Sequence, residues 1–100
     1  KLFSFQFYSY IVKLLFMINF LKTIEDKIRN NIEIEKIKII DNTHKHKNHR
    51  FFDINKYHLC LDIHSKYLNS LDRQKAQRTV MKLLEEEMKS KIHALEIKIS

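Results

Sequence analysis

The chain has 100 residues, of which 44% are hydrophobic, and a formal net charge of +7. This length is enough for one small domain with a thin core. The single cysteine excludes an intrachain disulfide. Because Gly and Pro are absent, long helices joined by Asn, Asp, Ser or Lys segments are favoured. The lysine excess suits nucleic acid or an anionic membrane surface, and an AT-rich codon bias would also produce it.

Residues 1–40 form an aromatic and isoleucine-rich segment that is expected to be helical or partly extended. Residues 1–22 contain most of the aromatic side chains, and Lys13 interrupts their apolar run. Three interpretations remain open for this run. It is a buried or oligomer-forming helix, a weak membrane anchor with Lys13 reaching the interface, or the remnant of a targeting peptide.

A second helix is predicted to begin at Thr23, which can cap it, with Asp26 three residues later. After Asn31 the pattern changes, and isoleucines alternate with Glu and Lys up to Ile40. Alternation of this kind indicates a strand, but a strand here has no obvious partner in the sequence. A strand and a continuing helix therefore both remain open for residues 32–40.

Residues 41–50 read as a basic, histidine-rich linker without an apolar residue. Its imidazoles, on His44, His46 and His49, could ligate a divalent cation. No cysteine or second histidine pair lies at zinc-finger spacing, however, so a solvated loop is favoured. We predict no metal ligand, no cofactor site and no catalytic residue in the chain.

Residues 51–100 are predicted to form a helical hairpin, which makes the fold class all-α. Apolar residues recur every three or four positions in residues 54–71, and again after Asp72, which can cap the second helix. Cys60 falls inside the first helix as a buried, inert thiol. The short turn between the helices favours antiparallel packing through an apolar seam. The seam comprises Tyr57, Leu61, Leu68, Leu71, Val80, Leu83, Leu84, Met88, Ile92 and Leu95.

Two helices of this length bury too little surface to be stable alone. Self-association through the seam is therefore expected. The second helix also carries a basic patch in its first half, where the helix dipole disfavours positive charge. The patch suggests a negatively charged partner, and a solvated face is the alternative. It consists of Arg73, Lys75, Arg78 and Lys82.

Residues 61–87 resemble the BESS motif, a short helical module of nuclear proteins that often follows a DNA-binding domain. The resemblance rests on an apolar first helix that ends in Tyr67 and Leu68, a break at Asp72 and a basic second helix that contains Arg78. It implies a nuclear location and protein–protein contact, including self-association. In that family the module does not itself read DNA. Contact of this chain with nucleic acid is expected only through its basic residues or through a neighbouring domain.

An enzyme is not expected, because the sequence lacks a Gly-rich phosphate loop, a nucleophile elbow and an H-E-x-x-H helix. The expected function is a non-enzymatic, self-associating interaction module. One alternative is a basic helical accessory subunit of an organellar ribosome or a membrane complex, with an organellar or membrane-associated location. The other is a translated reading frame without a selected function. Membrane contact through residues 1–22 belongs to the same set of expectations.

Overall fold

The computed structural model describes the backbone of residues 2–43 and 56–100, and side chains from Gln6 onward. Its elements are α1 (Leu2–Asn31), β1 (Lys36–Asp41), β2 (Tyr57–His64), α2 (Lys66–Ser70), α3 (Arg73–Leu83), α4 (Glu85–Ser90) and β3 (Ile92–Ile99). Across these two described ranges, three strands form one sheet in the order β1-β2-β3. The fold is therefore mixed α and β, and the prediction of an all-α chain is wrong.

Strand β2 lies at the centre of the sheet, antiparallel to β1 and parallel to β3. Parallel neighbours need a long crossover connection, and helices α2, α3 and α4 supply it. Four consecutive β2 residues, from His58 to Leu61, are buried. Both faces of β2 are therefore covered at these residues, as is usual for a central strand.

The core lies between the helices and one face of the sheet. Ile24 and Ile28 of α1 and Ala76 and Val80 of α3 are all fully or almost fully buried in it. The cross-strand register places eight apolar residues on the same face of the sheet. These residues are Ile37, Ile39, Leu59, Leu61, Ile63, Leu95, Ile97 and Ile99.

The first helix of the predicted hairpin is replaced by strand β2 and the single-turn helix α2. Tyr57, Leu61 and Leu68 are separated by four and seven residues, which fits a helical stripe. Leu59, Leu61 and Ile63 also alternate, however, which fits a strand. Pairing of both edges of β2 with other strands decides between the two patterns.

The second predicted helix begins where expected, because α3 starts directly after Asp72. The Asp72 side chain makes no capping hydrogen bond, so the predicted cap is absent at this described residue. The helix ends at Leu83, and the backbone of Leu84 leaves helical geometry at φ −102° and ψ 18°. After the short α4, the chain enters β3 rather than continuing as a helix to residue 99.

The N-terminal region contains one continuous helix of 30 residues. Thr23 lies inside this helix, and its hydroxyl donates to the Asn19 carbonyl at 2.9 Å instead of capping a second one. The alternative left open for the isoleucine-rich stretch is settled as a strand, since β1 pairs with β2 from Lys36 to Asp41. Residues on both sides of the predicted 41–50 linker therefore share one sheet.

Candidate functional site

Two histidines meet where β2 and β3 begin. Tyr57 pairs with Ile92 and His58 pairs with Ala94, so the register shifts by one residue between the two pairs. His93 is the extra residue at this β-bulge. A bulge redirects a side chain out of the regular alternation of a strand, and His93 is exposed although Leu95, Ile97 and Ile99, which follow it at every second position, face the core.

The two imidazole rings lie against each other, with centroids 5.0 Å apart and planes tilted by 43°. His58 is only 7% exposed, whereas His93 is open to solvent. A cavity of about 170 Å³ adjoins the buried ring and is lined by residues that include Asn42, Ala94 and Glu96. The His58 ring is thus held inside the domain, and the His93 ring packs against it at the surface.

The end of β1 holds this region of the sheet in place. The backbone N–H of His58 donates to the Thr43 hydroxyl at 3.2 Å, and the Asn42 N–H donates to the His58 carbonyl at 2.7 Å. Thr43 is oriented in turn by Asp41, whose carboxylate accepts from both its N–H and its hydroxyl. The backbone around His58 is therefore fixed on the β1 side as well as on the β3 side.

The histidine-rich segment of the sequence is attached at this same end. Residues 44–55 connect Thr43 to Lys56, and both of these residues lie beside the start of β2. The sequence-level metal interpretation of His44, His46 and His49 lies outside the described residues.

Cys60 lies two residues further along β2, next to Glu96 of β3. It is a free thiol with 3% exposure, which confirms its predicted burial, although it sits in a strand rather than a helix. Burial raises the pKa of the Cys60 thiol, and the negative charge of Glu96 raises it further. A thiol held protonated in this way is a poor nucleophile and a poor metal ligand.

The chemistry open to this end of the sheet is that of imidazole. Neutral imidazole is a common ligand for zinc, copper, iron and nickel. A protein zinc site takes three or four protein ligands. Within residues 2–43 and 56–100, no group of three or more His, Cys, Asp or Glu side chains is arranged to hold a metal ion. The histidine pair can thus provide only part of a metal site.

The sequence of residues 28–100 matches the family of BolA-like proteins. The chain belongs to the BolA-like family. Comparison with curated proteins gave no match.

Solved structures have the same fold. The chain is similar to the BolA domain of SufE1 from Arabidopsis thaliana at 26% identity, with a TM-score of 0.67 over 79% of this chain and 87% of that one. BolA1 from the same plant is 27% identical, with a TM-score of 0.66 over 78% and 86% of the two chains. A bol-like protein from Babesia bovis is 21% identical, with a TM-score of 0.59 over 76% and 77%, and supports the fold alone.

Membership of the BolA-like family overturns the BESS resemblance. The residues that suggested a helical hairpin, residues 61–87, belong instead to β2 and the crossover helices of the BolA fold. The self-associating BESS module and its nuclear DNA-binding context are accordingly wrong, and neither alternative function fits the family better. The predicted nuclear location rested on the BESS resemblance and is left without support.

The ten residues of the predicted seam are distributed over the BolA domain. Tyr57 and Leu61 lie in β2, Leu68 in α2 with Leu71 capping it, Val80 and Leu83 in α3, Leu84 between α3 and α4, Met88 in α4, and Ile92 and Leu95 in β3. Five of them are at most 2% exposed, namely Leu61, Leu68, Val80, Leu84 and Ile92. The burial of these five is accounted for within a single chain. Contact of the seam with a partner stays a prediction.

The predicted basic patch is a surface feature of the BolA domain. Its four residues all lie on α3 and are exposed, and they are Arg73, Lys75, Arg78 and Lys82. Binding of nucleic acid through them stays a prediction.

Sequence reasoning did not single out His58 or His93. One signal was available for His93. Leu95, Ile97 and Ile99 alternate on the inner face, and by the same alternation residue 93 would point into the core. A histidine at such a position indicates that the strand is irregular there, but the signal exists only once residues 92–99 are treated as a strand.

Proposed function

We propose that this BolA-like protein is a non-enzymatic binding module that contributes a histidine ligand to a metal centre shared with a protein partner. The observation that carries the proposal is the exposed His93 on its β-bulge, packed against the buried His58 at 5.0 Å. His93 is the ligand in this proposal, and His58 is a positioning residue.

The geometry supports a shared centre more than a complete site in one chain. A metal ion needs further ligands, and the described residues beside His93 do not complete a set of three. Ligand exchange at an accessible imidazole requires an exposed ring nitrogen, and His93 is the exposed member of the pair. The partner would supply the remaining ligands, so the metal would join the two proteins.

The modular character of the fold supports a binding role. In SufE1 from Arabidopsis thaliana, the BolA fold is a domain of a larger protein. The thiol of Cys60 is buried with a raised pKa, which argues against a nucleophilic role for it. A fixed imidazole at the end of a rigid sheet suits recognition, because a preorganised ligand loses little entropy on binding.

The test uses a chelated metal with open coordination positions in place of the partner's half of the site. Cu²⁺ held by iminodiacetate is added to the full-length chain, and the histidine ring signals are followed by NMR. Paramagnetic broadening should affect the His93 ring first, since a ligand to the metal lies closest to it. In His93→Ala, the broadening of the neighbouring His58 ring should be lost.

His64 provides a matched control in the same sheet. It is exposed at the opposite end of β2, and its Nδ1 lies 2.7 Å from the Ser100 hydroxyl. His64→Ala should leave the broadening of His93 unchanged. Preferential broadening of His44, His46 and His49, with no effect at His93, would assign metal binding to the segment between β1 and β2 and refute the proposal.

A second measurement addresses the partner. Immobilised full-length chain should retain a protein that is released by EDTA and is not retained by His93→Ala. Retention that is insensitive to both the chelator and the substitution would show that partner binding does not use a metal at His93.

A further inference from the structure

The first part of α1 has an exposed apolar surface that the BolA fold does not use. Among the described residues, eight large apolar side chains are exposed, and six of them lie in α1. These are Phe7, Tyr8, Tyr10, Leu15, Phe16 and Ile18, each at least 52% exposed. The family match begins only at residue 28. A helix of a water-soluble domain normally turns its apolar side to the core, so this surface requires another explanation.

By length and composition, Gln6–Asn31 is long and apolar enough to cross a membrane. Only 11% of its most apolar 18-residue stretch is buried. A core helix would pass the same test of length and composition, but it would be mostly buried. The low burial therefore separates α1 from a core helix over most of its apolar length.

The two sides of α1 differ. Gln6, Ser9 and Lys13 are spaced by three and four residues, and their row continues through Phe20 to Ile24, which are buried against the domain. The polar row therefore lies on the side of the helix that faces the domain. The opposite side is apolar, with residues spaced by four, four and three: Phe7, Ile11, Leu15 and Ile18.

The apolar side ends at Lys22. Beyond it, the outward side of the helix carries ion pairs, Lys22 with Asp26 at 3.7 Å and Arg29 with Glu25 at 3.0 Å. The uncharged surface is thus confined to the part of α1 that lies before these pairs. Its boundary coincides with the point where the helix begins to pack on the BolA domain at Phe20.

We propose that the outward side of α1 lies in the interfacial layer of a lipid bilayer, with the BolA domain on the water side. Lys13 favours a helix that lies flat, because a lysine near the middle of a spanning segment is strongly disfavoured. In the flat orientation Lys13 is on the water side, where it can reach the headgroups. Tyr8, which lies on the outward side with Ile11 and Leu15, suits this layer, since tyrosine has an apolar ring and a polar tip.

The charge of the chain favours anionic lipid. The net charge is +7, and Lys13 and Lys22 flank the apolar surface. Basic residues beside an interfacial helix add electrostatic attraction to the burial of apolar area. Charge disfavours a second copy of this chain as the partner, because two surfaces of the same positive charge would have to approach each other.

The experiment is flotation of the full-length chain with phosphatidylcholine vesicles, with and without phosphatidylglycerol. The chain should float with both and bind more tightly to the anionic vesicles. Phe7→Ser combined with Leu15→Ser should lower the partition coefficient by about a hundredfold, since each buried apolar side chain contributes about tenfold or more. Tyr67→Ser is the matched control, because Tyr67 is 52% exposed but lies on α2. It should leave flotation unchanged.

Orientation is tested with tryptophan, which the chain lacks. In Ile11→Trp the indole should be quenched by brominated lipid, whereas in Ser9→Trp it should remain accessible to aqueous iodide. Equal quenching of both by brominated lipid would indicate a spanning helix and overturn the flat orientation.

Two further results would overturn the proposal. One is failure of the unmodified chain to float with either vesicle. The other is sedimentation of the chain as a dimer that the Phe7→Ser and Leu15→Ser variant dissociates, without vesicle binding, which would assign the surface to a second copy. Urea unfolding of each variant provides the folding control, because none of the substituted side chains lies in the core.

Discussion

The two halves of α1 both carry large apolar side chains, but these have opposite fates in the structure. Residues Phe20, Ile24 and Ile28 are at most 8% exposed, whereas Phe16 and Ile18, one turn earlier, are 69% and 52% exposed. The reason is one of length. A helix of 30 residues extends about 45 Å, and a strand of eight residues about 27 Å. The sheet can cover only part of the helix, so apolar composition alone does not predict burial here.

The packed half is joined to the domain by several kinds of contact. The Phe20 ring stacks on Tyr57 at 4.9 Å, and the Lys91 ammonium lies 5.3 Å from the centre of the same ring. Lys27 contacts both carboxylate oxygens of Glu87 at 3.1 Å. No comparable contact to the sheet or to α4 is described for residues 6–18. The comparison therefore predicts that matched substitutions in the two halves will differ in effect.

The largest difference is expected for isoleucine. Ile24→Ala should lower the free energy of unfolding by about 2–5 kcal/mol, because it leaves a cavity at a fully buried position. Ile18→Ala should change it by less than about 0.5 kcal/mol, because the side chain is exposed and alanine favours helix. Urea denaturation in the absence of lipid measures both. Equal losses would mean that the outer half also packs on the domain.

An intermediate difference is expected between two of the ion pairs that α1 forms, Lys27 with Glu87 and Lys22 with Asp26. Lys27 and Glu87 are 33% and 15% exposed, against 73% and 54% for Lys22 and Asp26. Glu87→Gln should cost about 1 kcal/mol, since a partly buried lysine loses its partner. Asp26→Asn should cost only a few tenths of a kcal/mol, as is usual for an exposed pair within one helix. The same denaturation assay, repeated at high salt, checks the ranking, and a larger effect for Asp26→Asn would reverse it.

The smallest effect is expected from pH. Burial raises the pKa of Tyr57, and the nearby charge of Asp41 raises it further. The folded state then keeps the phenol proton at a pH where the unfolded chain loses it, so this contribution to stability decreases as pH rises above about 10. The urea midpoint should therefore fall less steeply above that pH in Tyr57→Phe than in the unmodified chain. Tyr10→Phe, in the exposed half, should retain the unmodified slope. Equal slopes in all three chains would contradict the prediction that burial and Asp41 raise the pKa of Tyr57.

The histidine pair and the apolar core differ in how much of each could be predicted from the sequence. Part of the apolar core could be chosen from the sequence, because five of the ten residues in the predicted seam are buried and the other five pack against the core. His93 could not be chosen, because its exposure results from a register shift between β2 and β3. A bulge depends on the pairing of two strands, and a single strand carries only a weak trace of it.

The sequence by itself determined where α3 begins and that Cys60 is buried. It did not determine whether the apolar residues of 57–64 and 92–99 lie on helices or strands, because both stretches fit spacings of three and four as well as alternation. Only the tertiary structure decided this, since the pairing of β2 with β3 joins residues 35 or 36 positions apart. Helical hydrogen bonds are local and leave a pattern within one turn. Strand pairing is not local, and neither the sheet nor the histidine pair it brings together was visible in any one stretch of the chain.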